Sequence, residues 1–309
     1  MSVLIFGGCG MIGSYVASDL CARGIEVVTF DRAQPCGILL ECAGSIRSIS
    51  GDVGDARQVR AAVEESKARR ILHLAAVLGR ACEQDPAAAM RINVQGTVNV
   101  LEAARDGAVE RLVYASSGEV YGRGDRVRHE ELPFGPQFSI YAATKILGER
   151  LSARYAELGG FAFVALRFGL TFGPATITSP GEAMVIQTIE QTMDGSSVVV
   201  SEVSANSRRQ LIYVRDAAAA AVAALLHPKP SYAVYNVSGP TENYVTLEEF
   251  HRIAQRLVPN AGGARFTGPE KQLGPMDTTR IRDDFGFAPA YSIEAGLRAR
   301  IEDRRRWWS

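Results

Sequence analysis

The 309-residue chain has no excess of charge of either sign: 34 lysines and arginines balance 34 aspartates and glutamates. Without a broad basic field, nucleic acid is not an expected partner. No apolar run reaches the roughly 20 residues that a membrane-spanning helix needs. The apolar stretch Val3 to Phe6 is too short for a leader and runs straight into glycines, so no signal peptide is expected. The five cysteines (Cys9, Cys21, Cys36, Cys42 and Cys82) are odd in number, confined to the first third, and show no CxxC spacing. That suggests neither a disulfide framework nor a zinc site; a reducing cytoplasm and no metal are the expectation. There is no repeat or low-complexity tract, and the alanine-rich stretch at 217–224 is helix-forming. The run Arg304-Arg305-Arg306-Trp307-Trp308 reads as a solvated helix end with two packed tryptophans, a contact to an acidic partner being the alternative. A composition of 47% hydrophobic and 22% charged residues is that of an ordinary globular chain, long enough for one large or two unequal domains.

What is present is a strand–helix rhythm. Strands are expected at Val3–Phe6, Glu26–Phe30, Arg70–Leu74, Arg111–Ala115 and Phe161–Arg167. Helices are expected at Met11–Ala22, Val59–Arg69, Ala87–Ala104 and Tyr141–Leu158. Such alternation implies right-handed βαβ units and a doubly wound parallel sheet with helices on both faces. After Pro174 the rhythm loosens. A helix at about 183–193, the run Val198–Val200, and strands at Leu211–Val214 and Tyr235–Val237 follow. Asp216 is placed to cap the alanine-rich helix, Thr246 with Glu249 forms a capping box, and Ser292 caps the last helix.

Between the first strand and first helix stands Gly7-Gly8-Cys9-Gly10-Met11-Ile12-Gly13. In that context one glycine makes the tight turn, another lets backbone approach a pyrophosphate, and the last lets helix and strand pack closely. The N–H groups of Met11, Ile12 and Gly13 open the helix and offer partial positive charge to phosphates. Asp31 closes the second strand. Its carboxylate can accept from both ribose hydroxyls of the adenosine half and would repel a 2′-phosphate, which favours NAD over NADP; Arg32 beside it weakens the preference slightly.

Tyr141 and Lys145 lie at i and i+4 on one helix face. Upstream, at an expected strand end, stand Ser116-Ser117-Gly118-Glu119. A phenol is a poor base near neutrality. A lysine ammonium and a nicotinamide cation beside it would favour the phenolate, which could take a proton from a substrate hydroxyl while Ser117 holds the oxygen.

These features resemble the extended short-chain dehydrogenases/reductases, the NAD-dependent epimerase/dehydratase family. The resemblance covers nearly the whole chain and is strongest over 1–175. It is carried by the Gly7/Gly10/Gly13 turn, Asp31, Gly51-Asp52-Val53, His73-Leu74-Ala75-Ala76, Asn93-Val94-Gln95-Gly96-Thr97, Ala115-Ser116-Ser117, Tyr141 with Lys145, and Leu166-Arg167 ahead of Gly173-Pro174. It implies Ser117, Tyr141 and Lys145 as the catalytic set. It places Asp52 and Val53 near adenine, Leu74, Ala75, Ala76 and Ala115 along the cofactor, and Asn93 near the nicotinamide end, with Lys145 also bonding the nicotinamide ribose. Read from the residues alone, Asn93 could instead tie its helix to a neighbouring strand.

The resemblance implies a Rossmann-type α/β fold. The nucleotide domain is expected at 1–168, with 209–238 returning to it, and a smaller C-terminal α/β substrate domain at 169–208 and 239–309. It also implies a homodimer through the helices at 87–104 and 141–158, with Ile92, Val98, Leu101, Ile146, Leu147 and Leu151 available for burial there or, alternatively, against the protomer's own sheet. For substrate, Arg209 matches an arginine that contacts the diphosphate in nucleotide-sugar enzymes. Two departures weigh against that match. Leu170 stands where an asparagine is usual, and before Asp277 there is Lys271 in place of a second arginine. Glu119 matches an acid of the family's dehydratases and decarboxylases, though Gly118 departs from their pattern; the alternative is a loop anchor. A sugar or nucleotide sugar oxidised by NAD is the leading expectation. A dehydrogenase of a small hydroxy acid or polyol with dissociable NAD is the second, supported by Ala75-Ala76-Val77-Leu78-Gly79. A non-catalytic NAD-binding regulator is a third, disfavoured because both Tyr141 and Lys145 are kept.

Overall fold

The computed structural model describes residues 1–42, 44–136, 139–174 and 185–307. In chain order the first half runs β1 (Ser2–Phe6), α1 (Met11–Ala22), β2 (Glu26–Asp31), β3 (Ile46–Ser50), α2 (Ala56–Ser66), β4 (Arg70–His73), α3 (Gly79–Gln84), α4 (Pro86–Ala89), α5 (Gly96–Asp106), β5 (Arg111–Ser117), α6 (Ile140–Gly159) and β6 (Ala162–Phe168). The second half runs β7 (Leu170–Phe172), α7 (Val185–Glu190), β8 (Val198–Val200), β9 (Arg208–Tyr213), α8 (Val214–Leu226), β10 (Val234–Val237), β11 (Tyr244–Thr246), α9 (Leu247–Leu257), β12 (Ala264–Phe266), α10 (Thr279–Phe285) and α11 (Ile293–Trp307).

Seven parallel strands form the main sheet in the order β10-β6-β5-β4-β1-β2-β3. Every residue of β1 and β5 is buried, because helices cover both faces. One face packs on α1 and α8, through Val16, Leu20, Ala217 and Leu225. The other packs on α2, α5 and α6, through Val59, Val63, Val100 and Leu101. Strand order reverses between β1 and β4, and at such a switch point the strand ends open a crevice for a ligand.

The differences from the sequence expectations have local causes. β3 was not visible as a strand: it is a polar edge, Ile-Arg-Ser-Ile-Ser, with no residue fully buried. α2 begins three residues earlier than the apolar pattern indicated, because Asp55 caps it by accepting from the N–H groups of Arg57 and Gln58. The long helix expected at 87–104 contains a π-helical stretch, Met90–Gln95, between α4 and α5. Asp216 is not a cap. It lies inside the first turn of α8, and its two oxygens accept the N–H groups of Ala290 and Tyr291, each at 3.0 Å. Of segment 209–238, β10 joins the main sheet while β9 pairs with β7 and β11 in a separate three-stranded sheet. Thr246 and Glu249 form the capping box of α9. The start of the helix expected at 183 and Trp308 lie outside the described residues; Trp307 packs edge-on against Tyr15 and donates to Glu41 at 2.6 Å.

Candidate active site

A cavity of about 1220 Å³ runs along the strand ends, from Asp31 past Tyr141 to Arg209. Every catalytic, cofactor and substrate residue expected from the sequence lines it except Asn93.

The three glycines of the turn are required for different reasons. Gly7 has φ +82, and a Cβ there would lie 2.7 Å from the Ala75 nitrogen. At Gly13 a Cβ would lie 2.2 Å from the Gly7 carbonyl oxygen. Both are fixed by crowding inside the protein. Gly10 is exposed and lines the cavity; a Cβ there would meet only the Gly7 carbonyl, at 3.3 Å. Crowding at Gly10 is milder, since that carbonyl would need to give by only a few tenths of an ångström. Gly10 also starts α1 without a side-chain cap, so the first N–H groups of the helix are left for a ligand. This cradle fits a dinucleotide pyrophosphate.

Asp31 stands beside the turn. Its Oδ2 accepts from the Cys9 N–H at 2.9 Å and its Oδ1 from the Ala33 N–H at 3.0 Å. Those bonds orient the carboxylate and leave each oxygen a lone pair for ribose. Asp52 lines the same end, but its oxygens are engaged by the Gly54 N–H at 2.8 Å and Arg91 at 2.9 Å. Leu74 and Ala75 donate to the Phe6 carbonyl, which bends the end of β4 along the cavity. Asn93 does not line the cavity; its bonds are those of the reading in which it ties its helix to a neighbouring strand segment. It is buried in the π-helical stretch, accepts from the Val77 N–H at 2.7 Å and donates to the Val77 carbonyl at 2.9 Å. Its amide is spent bracing the 74–77 segment from behind.

α6 starts at Ile140 because Ser139 caps it, accepting from the Ala142 N–H at 3.0 Å. That puts Tyr141 in the first turn and Lys145 in the second, both facing the end of β5. Lys145 is buried and donates to the Ala115 carbonyl at 2.7 Å. The Ser117 hydroxyl contacts the Tyr141 phenol and accepts from the Glu119 N–H at 3.2 Å. Burial pushes the phenol of Tyr141 above its ordinary range, the Glu119 carboxylate adds to that, and the Ser117 hydrogen bond opposes it. The expected pull of Lys145 on the phenol is not the governing effect: its Nζ sits 5.6 Å from the Tyr141 ring centroid and is committed to Ala115. Burial lowers Lys145 itself to about 8, against the opposing effects of Cys82 and Glu149. The chain alone thus shifts both groups toward their neutral forms, and a positive ring beside Tyr141 would be needed to draw its proton off.

Glu119 lines this cavity. Burial within the molecule raises its carboxyl above the usual range, opposed by a hydrogen bond from Ser139 at 3.1 Å and by Arg209 and Lys271. Arg209 lines the far wall and donates to the Lys271 carbonyl at 2.5 Å. Arg123 and Lys271 stand with it, and the cations bear on one another: after burial, Arg123 and Arg209 are what depress Lys271. Arg128, buried, donates to the Gly118 carbonyl at 3.1 Å and holds the turn carrying Glu119. Ser139, Arg123 and Arg128 were not visible as site residues in the sequence. Ser139 carried a usable signal, a cap residue just before a periodic helix; the two arginines, in a charged loop, carried none.

A doubly wound sheet with a phosphate cradle at its switch point and a Ser–Tyr–Lys set across the same cleft defines a dinucleotide-dependent oxidoreductase. The chain belongs to the NAD-dependent epimerase/dehydratase family, whose model matches residues 3–238. A dTDP-glucose 4,6-dehydratase from Streptomyces niveus is 31% identical over 333 residues, spanning 100% of this chain and 95% of the relative. A UDP-glucuronate 4-epimerase from Thermodesulfobacterium geofontis is 25% identical over 312 residues, spanning 96% and 94%. Among solved structures, the Thermus thermophilus UDP-glucose 4-epimerase in complex with NAD superposes with a TM-score of 0.85 at 27% identity, over 99% of both chains. The protein is an NAD-dependent enzyme. Among the described residues no helix is long and apolar enough to cross a membrane and no group of side chains could hold a metal ion.

Proposed function

We propose that the substrate is a nucleoside-diphosphate sugar and that Tyr141 accepts the proton of a sugar hydroxyl as that carbon is oxidised. The observation that carries this reading is the continuity of one cavity. Asp31 and the glycine cradle stand at one end, Ser117, Tyr141 and Lys145 in the middle, and Arg123, Arg209 and Lys271 at the other. A diphosphate needs several fixed donors. Here Lys271 and Arg123 stand beside Arg209, which offsets the missing second arginine. When bound, NAD supplies the hydride acceptor. Gly10 and the first turn of α1 would hold its pyrophosphate, Asp31 its adenosine ribose, and Lys145 its nicotinamide ribose. Ser117 would hold the reacting oxygen in place, and Tyr141 would take the proton from it. Glu119, a carboxyl whose proton is held more tightly because of its burial, is suited to donate or accept a proton at a neighbouring carbon. That favours an elimination over a simple epimerisation.

The test is the NAD and NADH content of freshly purified, denatured protein, followed by turnover of UDP-glucose, UDP-glucuronate and dTDP-glucose. Near-stoichiometric retained NAD with turnover of one of these is the expected outcome. An empty site that binds added NAD reversibly, with turnover of small hydroxy acids or polyols, overturns the nucleotide-sugar reading. Tyr141→Phe should lower turnover by about a thousandfold while NAD still binds; unchanged turnover would sink the mechanism. We further infer a homodimer through α5 and α6, supported by Leu147 and Leu158, which are 39% and 59% exposed on α6; light scattering giving a monomer mass refutes it. A reducing cytoplasm suits five cysteines that form no disulfide among the described residues.

A further inference from the structure

Beneath the cavity floor lies a buried charge pair that the reaction outlined above does not use. Glu149 and Arg167 are each 4% exposed and form a bidentate pair, Nε to Oε1 at 2.9 Å and Nη2 to Oε2 at 2.8 Å. Neither lines the cavity. Glu149 Oε1 also accepts from the Ser116 hydroxyl at 2.5 Å. Arg167 Nη1 donates to the Tyr121 hydroxyl at 2.8 Å, and Tyr121 donates onward to Asn236 at 2.7 Å. The network therefore joins α6, β5, β6, the turn after β5, and β10.

Two buried charges are costly to desolvate, and an apolar pair of similar volume would pack at least as stably. An apolar pair would not tie strand to helix with direction. Tyr141, Lys145 and Glu149 occupy successive turns along one side of α6. Lys145 binds the Ala115 carbonyl and Glu149 binds the Ser116 hydroxyl. The helix is thus stapled to β5 twice, at the two residues directly before Ser117. We propose that Glu149, clamped by Arg167, is a positioning residue that holds the Tyr141–Lys145 face of α6 in register with Ser117 and sets the field at the Lys145 amine.

The inference rests on Tyr141 and Lys145 being the acting pair. The titratable groups that bear on Lys145 are Tyr141 and Glu149 on α6, Tyr114 on β5, His73 on β4 and Cys82 on α3. Burial lowers Lys145 to about 8, and Glu149 opposes that shift. Removing the carboxylate leaves the Arg167 cation uncompensated, so Lys145 must lose its proton at still lower pH.

The chain has four lysines, Lys67, Lys145, Lys229 and Lys271, so each is resolvable in a spectrum of 13Cε-lysine-labelled full-length protein. Lys145→Arg identifies the resonance. In Glu149→Gln its titration midpoint should fall by about one pH unit. In the double variant Glu149→Gln with Arg167→Met, which removes the lone guanidinium and guards against misfolding, about half that fall should remain. An unchanged Lys145 midpoint in the folded variants overturns the proposal. Failure of the Tyr–Lys reading is separately visible: Tyr141→Phe would keep turnover, whatever Lys145 does in the spectrum.

Discussion

The two ends of the cavity are built from opposite materials. The cofactor end is backbone and small side chains: Gly7, Gly10, Gly13, Ala75 and Ala76 set against parallel strand ends. Asp31 stands there as a carboxylate oriented by two backbone N–H groups. The substrate end is a wall of long cationic side chains, Arg123, Arg209 and Lys271, contributed by two loops and a short strand. The first end is sterically unforgiving, and its charges are of both signs. The second is sterically lenient and dominated by charge. Substitutions that alter volume should therefore be most damaging at one end, and substitutions that alter charge at the other.

The largest effect is expected within the glycine turn. Gly13→Ala sets a Cβ 2.2 Å from the Gly7 carbonyl oxygen and 2.9 Å from the Gly8 Cα, both of them backbone. It should cost about 3 kcal/mol of stability and abolish NAD binding. Gly10→Ala makes its one contact at 3.3 Å, so it should fold normally and lose about tenfold in NAD affinity by obstructing the pyrophosphate. Denaturant melts and NAD titration calorimetry separate the two. A Gly13→Ala protein that binds NAD like the parent would show that internal crowding does not govern this end.

The same contrast explains how much was legible beforehand. The cofactor end is encoded locally. Gly7 to Gly13 are consecutive, Asp31 closes the next strand, and Tyr141 and Lys145 share a helix face, so spacing and strand–helix context place them. The substrate end is encoded at a distance. Arg123, Arg209 and Lys271 meet only because a three-stranded sheet and two loops fold over the strand ends, and no periodicity marks them. In the sequence Lys271 is only a departure from an arginine pattern, because its neighbourhood with Arg123 and Arg209 is purely tertiary. At Asn93 the two readings of the sequence differ, and the π-helical stretch turns its amide onto the Val77 backbone, as the reading from the residues alone allowed. The strand β3 escaped notice because an exposed edge needs no apolar alternation.

At the substrate end, Arg209→Met keeps much of the side chain's bulk and deletes the charge. KM for a nucleoside-diphosphate sugar should rise about a hundredfold, the loss of a charge-assisted contact, while NAD affinity stays within about twofold. A rise confined to kcat would place Arg209 in the chemistry and not in binding. Asp31→Asn should act more weakly at the other end. The amide keeps an acceptor for the Cys9 N–H but loses the repulsion of a 2′-phosphate, so the preference for NAD over NADP should narrow by about tenfold. Competition titrations with the two dinucleotides measure that ratio directly.

The smallest effect is expected where the two ends meet at the surface. Arg80 at the start of α3 and Glu202 just after β8 face each other across the cavity at 3.0 Å, with side chains 59% and 35% exposed. An ion pair so hydrated contributes less than about 1 kcal/mol and is screened further by salt. The firmer link lies deeper. Asp303 of α11, buried, accepts from Tyr15 of α1 at 2.7 Å and from Tyr213 of β9 at 3.0 Å, and pairs with Arg215 of α8. That hub holds the cofactor helix and the substrate-side sheet together whether or not the surface pair forms. Arg80→Ala should accordingly change KM by less than about threefold, with little dependence on salt between the variant and the parent. A tenfold change that disappears at high salt would mean that a hydrated surface pair governs access to the cavity, and the division into a rigid cofactor end and a charge-lined substrate end would then have to include a gate between them.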